Sequence, residues 1–198
     1  YTLRSYKIGN SSSWKRSRFD NLYRAVKSIE TCETMGSIRL DENDINNCKY
    51  GIYLKATNTS MITRNNIFGL NDNKSMLGIT MEGMSGYNFT ENKIKQMQIG
   101  AWGKSIGNQV GANLYKNEFS YNHTESALFM ESNPNLQVEC NTFSNNKGFD
   151  IRNTGTFANQ GNNNKTIGND FSVDTDHPTL GISATTGVMV KSQLDPNY

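Results

Sequence analysis

An asparagine followed two residues later by Ile or Phe recurs along most of this chain, as Asn43/Ile45, Asn65/Ile67, Asn92/Ile94, Asn117/Phe119, Asn141/Phe143 and Asn169/Phe171. Successive asparagines stand 22, 27, 25, 24 and 28 residues apart, a unit of about 25 residues. Three residues before the Asn stands an apolar residue in five units, Leu40, Ile62, Phe89, Leu114 and Val138, with Thr166 the exception. An earlier copy lies upstream, where Arg18 to Val26 matches Asp44 to Ile52 and Ser17 fills the Asn slot, making seven copies. A fixed period of this length marks a stacked-repeat architecture, in which no unit can bury its apolar side alone.

Each copy continues into a short strand. Aligned without gaps, these are Gly51-Ile52-Tyr53-Leu54-Lys55, Gly78-Ile79-Thr80-Met81-Glu82, Gly100-Ala101-Trp102-Gly103-Lys104, Ala127-Leu128-Phe129-Met130-Glu131, Gly148-Phe149-Asp150-Ile151-Arg152 and Gly181-Ile182-Ser183-Ala184-Thr185. Side chains alternate between the faces of a strand, so the second and fourth columns share the core face. A unit of short strands and Asn/Gly corners is too short for a propeller blade, lacks the helical period of ankyrin or tetratricopeptide repeats, and lacks a leucine-rich consensus. That leaves an all-β chain, a right-handed parallel β-helix (solenoid) of about seven coils and roughly 34 Å in length. Asn43, Asn65, Asn92, Asn117, Asn141 and Asn169 are then expected to stack as a ladder at one corner, where Asn tolerates the left-handed backbone and satisfies buried polar groups.

On the Asn-x-Ile/Phe and Gly-Ile-x-Leu motifs, the chain resembles the right-handed parallel β-helix repeat proteins of the pectate-lyase-like superfamily. It looks closest to secreted, Asn-rich β-helix modules in surface proteins of Bacteroidota. The resemblance covers residues 17–190 and implies one domain over 1–198, with 1–16 and 191–198 flanking or capping it. Because the first residue is Tyr, the chain is expected to be a piece of a longer secreted precursor with neighbouring domains. A lyase of that superfamily would use calcium held by clustered acids and a nearby basic residue. Asp41, Glu42 and Asp44 flank ladder Asn43 without an EF-hand glycine and are read as a solvated corner, as are Asp174 and Asp176 beside His177. No metal or other cofactor is expected from a motif, calcium included.

Composition narrows the partners. Twenty Lys+Arg against 18 Asp+Glu leave +2, too little for a field that would gather nucleic acid. No apolar run approaches the roughly 20 residues that span a bilayer, which excludes helical membrane insertion. A mean hydropathy of −0.66 would suit a disordered chain, but the strict apolar pattern does not. Cys32, Cys48 and Cys140 show no CxxC spacing; they are read as small buried residues, with a Cys32–Cys48 approach as the alternative. Two histidines, no Gly-x-Ser-x-Gly elbow and no phosphate-binding loop leave nucleophilic and nucleotide chemistry without residues.

The outward columns carry the remaining signal. The third holds Tyr53, Trp102 and Phe129, an aromatic stripe suited to the apolar faces of sugar rings or to a protein partner. The fifth alternates Lys55, Glu82, Lys104, Glu131 and Arg152, as a cross-strand charge ladder would. Glu82, Glu131 and Asp150 are the only candidates for catalysis. Lys104 between the two glutamates would depress both pKa values, where a general acid needs one raised. The sequence therefore points to a non-catalytic module outside the cell or on its surface, a rigid scaffold or adhesin that binds polysaccharide or surface glycan along the stripe. The alternatives are a polysaccharide lyase or glycoside hydrolase, and a fragment of a trimeric phage tailspike.

Overall fold

The computed structural model describes residues 5–9, 16–29, 36–57, 60–70, 74–84, 86–105, 113–123, 126–133, 137–157, 168–172 and 182–184. Their strands form three parallel sheets, and each coil adds one strand to each sheet in turn. Sheet A stacks β1 (Ser5–Gly9), β4 (Ser37–Asp41), β7 (Met61–Thr63), β10 (Asn88–Thr90), β13 (Asn113–Tyr115) and β16 (Gln137–Glu139). Sheet B stacks β2 (Arg18–Asp20), β5 (Asp44–Asn46), β8 (Asn66–Phe68), β11 (Lys93–Lys95), β14 (Glu118–Ser120), β17 (Thr142–Ser144) and β19 (Asp170–Ser172). Sheet C stacks β3 (Arg24–Ile29), β6 (Tyr50–Lys55), β9 (Leu77–Glu82), β12 (Ile99–Lys104), β15 (Ser126–Asn133), β18 (Phe149–Phe157) and β20 (Ile182–Ala184). The chain is thus an all-β parallel solenoid with the expected repeat, and β1 extends it into the segment read as a flank.

Inside, like residues stack on like. Leu40, Ile62, Phe89, Leu114 and Val138 line sheet A, and Ile45, Ile67, Ile94, Phe119 and Phe143 line sheet B, all essentially inaccessible. The rings of Phe119, Phe143 and Phe171 lie nearly parallel at 5.1 and 5.2 Å. Burying each such side chain contributes about 1.5–3 kcal/mol, in addition to the strand pairing that joins the coils. Gly51 and Gly78 stand second in β6 and β9 for a steric reason. A Cβ on Gly78 would come within 2.3 Å of the Gly100 carbonyl oxygen on the next coil.

The ladder forms as expected. Each Asn sends its amide N–H and one Nδ2 hydrogen to the Oδ1 of the next, unbroken from Asn43 to Asn169. The second Nδ2 hydrogen goes to a carbonyl of the preceding coil, from Ile8 at Asn43 to Val138 at Asn169. One expectation fails: the ladder asparagines are not themselves left-handed. The residue before five of the six is, at Glu42, Arg64, Glu91, Lys116 and Cys140, with φ of 53 to 57°. That left-handed residue makes the corner, which leaves the Asn side chain free to aim along the stack. At the corner between sheets B and C the expectation does hold, for Asn21, Asn47 and Asn145.

The register of β18 also differs from the gapless alignment. Ile151, not Phe149, pairs with Leu128 and Ile182, so Arg152 joins the aromatic column, Asn153 follows Met130 inward, and Thr154 follows Glu131. Phe149 and Ile151 flank Asp150 with the parity of an inward pair, but β18 sits two residues away from the gapless alignment, so Phe149 takes the strand-start position opposite Ser126.

Candidate functional site

The outer face of sheet C is the richest surface. Tyr53, Trp102 and Phe129 stand in one column and are each half-buried, but Thr80, 5% exposed, interrupts the stripe between Tyr53 and Trp102. Two aromatics therefore act together: the Trp102 and Phe129 rings stack with centroids 6.1 Å apart and planes 9° from parallel. The Arg152 guanidinium lies 4.9 Å from the centroid of the Phe129 ring, extending the platform by one coil. The Trp102 Nε1–H is buried without a hydrogen-bond partner among the described residues.

Tyr53 belongs to a different arrangement. Its hydroxyl donates to Glu82 at 3.1 Å, and Lys55 pairs with the same carboxylate at 3.0 Å. The Lys55 hydrogen bond holds Glu82 below the usual glutamate range, against a smaller opposing effect of burial and with help from Tyr53. Burial, then the bond to Glu82, pushes the Tyr53 hydroxyl up. Glu131 lies two coils from Glu82, on the far side of Lys104 in the same register.

Asp150 is not on this face. It is 1% exposed, in the column that Ala127 occupies one coil earlier, and its Oδ1 accepts from Asn146 Nδ2 at 3.0 Å. Asn146 and Asn122 form a second, two-step ladder at the corner between sheets B and C. Asn122 sends its amide N–H and Nδ2–H to Asn146 Oδ1, and Met97 sends its amide N–H to Asn122 Oδ1. The sequence reading missed this pair. Its signal is an Asn three residues after each of Phe119 and Phe143, in a slot that holds Cys48 and Met97 in other coils.

The acidic corner is not solvated at Asp41. That carboxylate is 1% exposed and accepts from Thr63 Oγ1 and Arg64 at 2.7 Å and from Arg39 at 3.0 Å, while Glu42 pairs with Arg64 and Asp44 with Arg16. Cys48 is buried, and its thiol faces the carbonyls of Asn46 and Phe19; burial pushes its pKa up. Cys48 and Cys140 carry no disulfide; Cys32, Asp174, Asp176 and His177 lie outside the described residues. Among the described residues no three of His, Cys, Asp and Glu come together as metal ligands, and no helix is long and apolar enough to cross a membrane.

Three parallel sheets closed around an internal asparagine ladder, with the side-chain variety concentrated on one outer sheet, define a parallel β-solenoid repeat protein. Within that class, the family model described as "Periplasmic copper-binding protein (NosD)" matches residues 6–125, about three fifths of the sequence, and the chain belongs to the NosD family. That description places the family in the periplasm, outside the cytoplasm, and gives it copper as a ligand. No curated protein and no solved structure matches the chain.

Proposed function

We propose that this chain is a non-catalytic scaffold working outside the cytoplasm, a stiff rod that presents the outer face of sheet C. The observation that carries this reading is the unbroken ladder from Asn43 to Asn169, which ties six coils together through buried, hydrogen-bonded carboxamides. Catalysis finds little support on the same face. Glu82 is held ionised by Lys55 and Tyr53, the reverse of what a general acid needs, and Asp150 points into the coil corner. Incubating excess protein with a panel of polysaccharides, with and without calcium, tests this; release of unsaturated ends or reducing sugar would sink the scaffold reading.

The family's copper does not fit the described residues. Among the described residues the only histidine is His123, the Cys48 thiol is buried with its pKa pushed up, and neither belongs to a group of three His, Cys, Asp or Glu side chains. No role for copper is assigned to them.

A second reading concerns the Trp102/Phe129 pair, whose parallel, half-exposed rings offer a platform for the apolar face of a sugar. It also underlies the placement of the rod as an adhesin at the cell surface, as in the Asn-rich modules it resembles. Iodide quenching of Trp102 fluorescence, with a Trp102→Phe variant to subtract Trp14, tests it. Quenching relieved by a glycan supports the platform; a Trp102 already shielded makes the stripe structural.

A further inference from the structure

The first two coils carry a feature that the glycan platform does not use. Tyr23, Arg24, Lys49 and Tyr50 form one cluster, with the two rings edge to face at 5.3 Å. The Arg24 guanidinium lies 5.1 Å from the Tyr23 centroid and 5.3 Å from that of Tyr50, and the Lys49 ammonium 5.3 and 5.8 Å from the same two. Lys27 is exposed on the same strand as Arg24, across from Tyr53. None of Arg24, Lys27 and Lys49 has a carboxylate within ion-pair distance among the described residues, whereas Arg16, Arg18, Arg39, Lys55, Arg64, Lys93 and Lys95 all do.

Charge is uneven between the sheets. The exposed and half-exposed charges of sheet C are five cations, Arg24, Lys27, Lys55, Lys104 and Arg152, against Glu82 and Glu131, a net of +3 on a chain whose total is +2. The apolar exposure is uneven too. Of the five large hydrophobic side chains that stand exposed among the described residues, Leu22 (42%), Tyr23 (59%) and Ile29 (40%) fall within one eight-residue stretch, the same one that carries Arg24 and Lys27.

We infer that the edge formed by Leu22, Tyr23, Arg24, Lys27, Ile29 and Lys49 docks on the surface of an anionic phospholipid bilayer. Cations without an internal carboxylate are drawn to acidic headgroups, and a tyrosine among exposed aliphatic side chains suits the interfacial zone, where ring and hydroxyl meet different surroundings. A soluble acidic glycan fits less well. Cations already sit against the rings of Tyr23 and Tyr50, so those rings are not open platforms, and Leu22 and Ile29 offer nothing to sugar hydroxyls but gain on entering lipid. The strand from Arg24 to Ile29 spans roughly 17 Å, long enough to lie on a bilayer without inserting. Among the described residues β3 lies at one edge of sheet C, next to β6.

Sedimentation of the full chain with vesicles tests the inference. The protein is expected to pellet with phosphatidylcholine–phosphatidylglycerol vesicles, not with phosphatidylcholine alone, and to be released by salt. Each basic side chain near an anionic surface is worth roughly five-fold in partitioning, so Arg24→Glu/Lys27→Glu/Lys49→Glu should lose at least about 100-fold. The charge-matched control Lys104→Glu/Lys116→Glu/Lys147→Glu should lose far less. A Leu22→Ser/Ile29→Ser variant, which keeps every charge, should bind several-fold more weakly and carries the test should the triple variant misfold. Failure of the wild-type chain to bind acidic vesicles would overturn the inference. So would an equal loss in the control variant, or binding to alginate without binding to vesicles. Of these outcomes only alginate binding touches the Trp102/Phe129 platform, and relief of Trp102 quenching by alginate separates that site from the Tyr23 edge.

Discussion

Asn92 Nδ2 and its amide N–H both point at one atom, Asn117 Oδ1, at 3.0 and 2.9 Å. Asn92 Oδ1 in turn accepts both donors of Asn65, and its second Nδ2 hydrogen reaches the Ile62 carbonyl at 2.8 Å. Asn92→Ala would leave the Asn65 amide, one Asn65 Nδ2 hydrogen and the Ile62 carbonyl buried without partners. At about 1–3 kcal/mol for each group, a loss of about 4 kcal/mol is expected in denaturant unfolding. Asn92→Asp should be nearly as damaging, because a carboxylate keeps the acceptor but cannot donate to Ile62 or Asn117. An Asp variant as stable as wild type would mean that the ladder works by shape rather than by its hydrogen bonds.

The ladder stops one coil short. Asn43 Oδ1 is buried and accepts nothing, since Ser17 occupies the slot where a seventh carboxamide would sit. Ser17→Asn should supply the missing donor and stabilise the chain by about 1 kcal/mol, while Ser17→Ala should not. Equal midpoints for all three proteins would show that the first coil is too loosely held to profit.

Much of this was legible because the solenoid repeats its chemistry. One Asn per coil in a constant setting betrays the ladder, and apolar residues at fixed offsets betray the three core columns. Legibility failed where the local pattern was ambiguous. Phe149 and Ile151 have the parity of an inward pair and a two-residue shift keeps that parity, so only the register of β18 shows that Asp150 is buried and that Arg152 continues the stripe. Thr80 reads as one more outward residue, yet its burial divides the stripe and leaves Tyr53 to Glu82 rather than to a ligand. The Tyr23–Arg24–Lys49–Tyr50 cluster was invisible for a third reason: its members come from two coils and stand just before the five-residue strand columns, where the alignment pairs unlike residues.

Asp41 should make the fold acid-sensitive. Its burial alone would raise the pKa, but hydrogen bonds from Thr63, Arg39 and Arg64 and the charge of Arg64 outweigh that and hold it below 3.8. A carboxyl whose pKa is lower folded than unfolded contributes stability that is fully present above the unfolded value and lost as pH falls through the folded one. Asp41→Asn should therefore cost about 2 kcal/mol near neutral pH, less than a wholly buried pair because both guanidinium groups can turn to water. The gap between variant and wild type should close as pH falls below 3.8. A gap unchanged down to pH 2 would show that shape at Asp41, not charge, holds the corner.

The corner before each ladder Asn is built from residues that dislike their backbone. Glu91 sits at φ 57°, exposed, and its amide N–H bonds the Tyr115 carbonyl at 3.1 Å. A side chain in the left-handed region costs about 1–2 kcal/mol that glycine does not, partly offset by the freedom glycine gains when unfolded. Glu91→Gly should thus stabilise the chain by up to about 1 kcal/mol, with Glu91→Ala near neutral, since Ala keeps the Cβ that causes the strain. The same change at Lys116, φ 54° one coil on, should add to it, because the two corners share a stack but not a side chain. Destabilisation by glycine at both sites would mean that the strain is already relieved by the ladder bonds on either side, and that the carboxamide stack, not the corner residue, sets the turn.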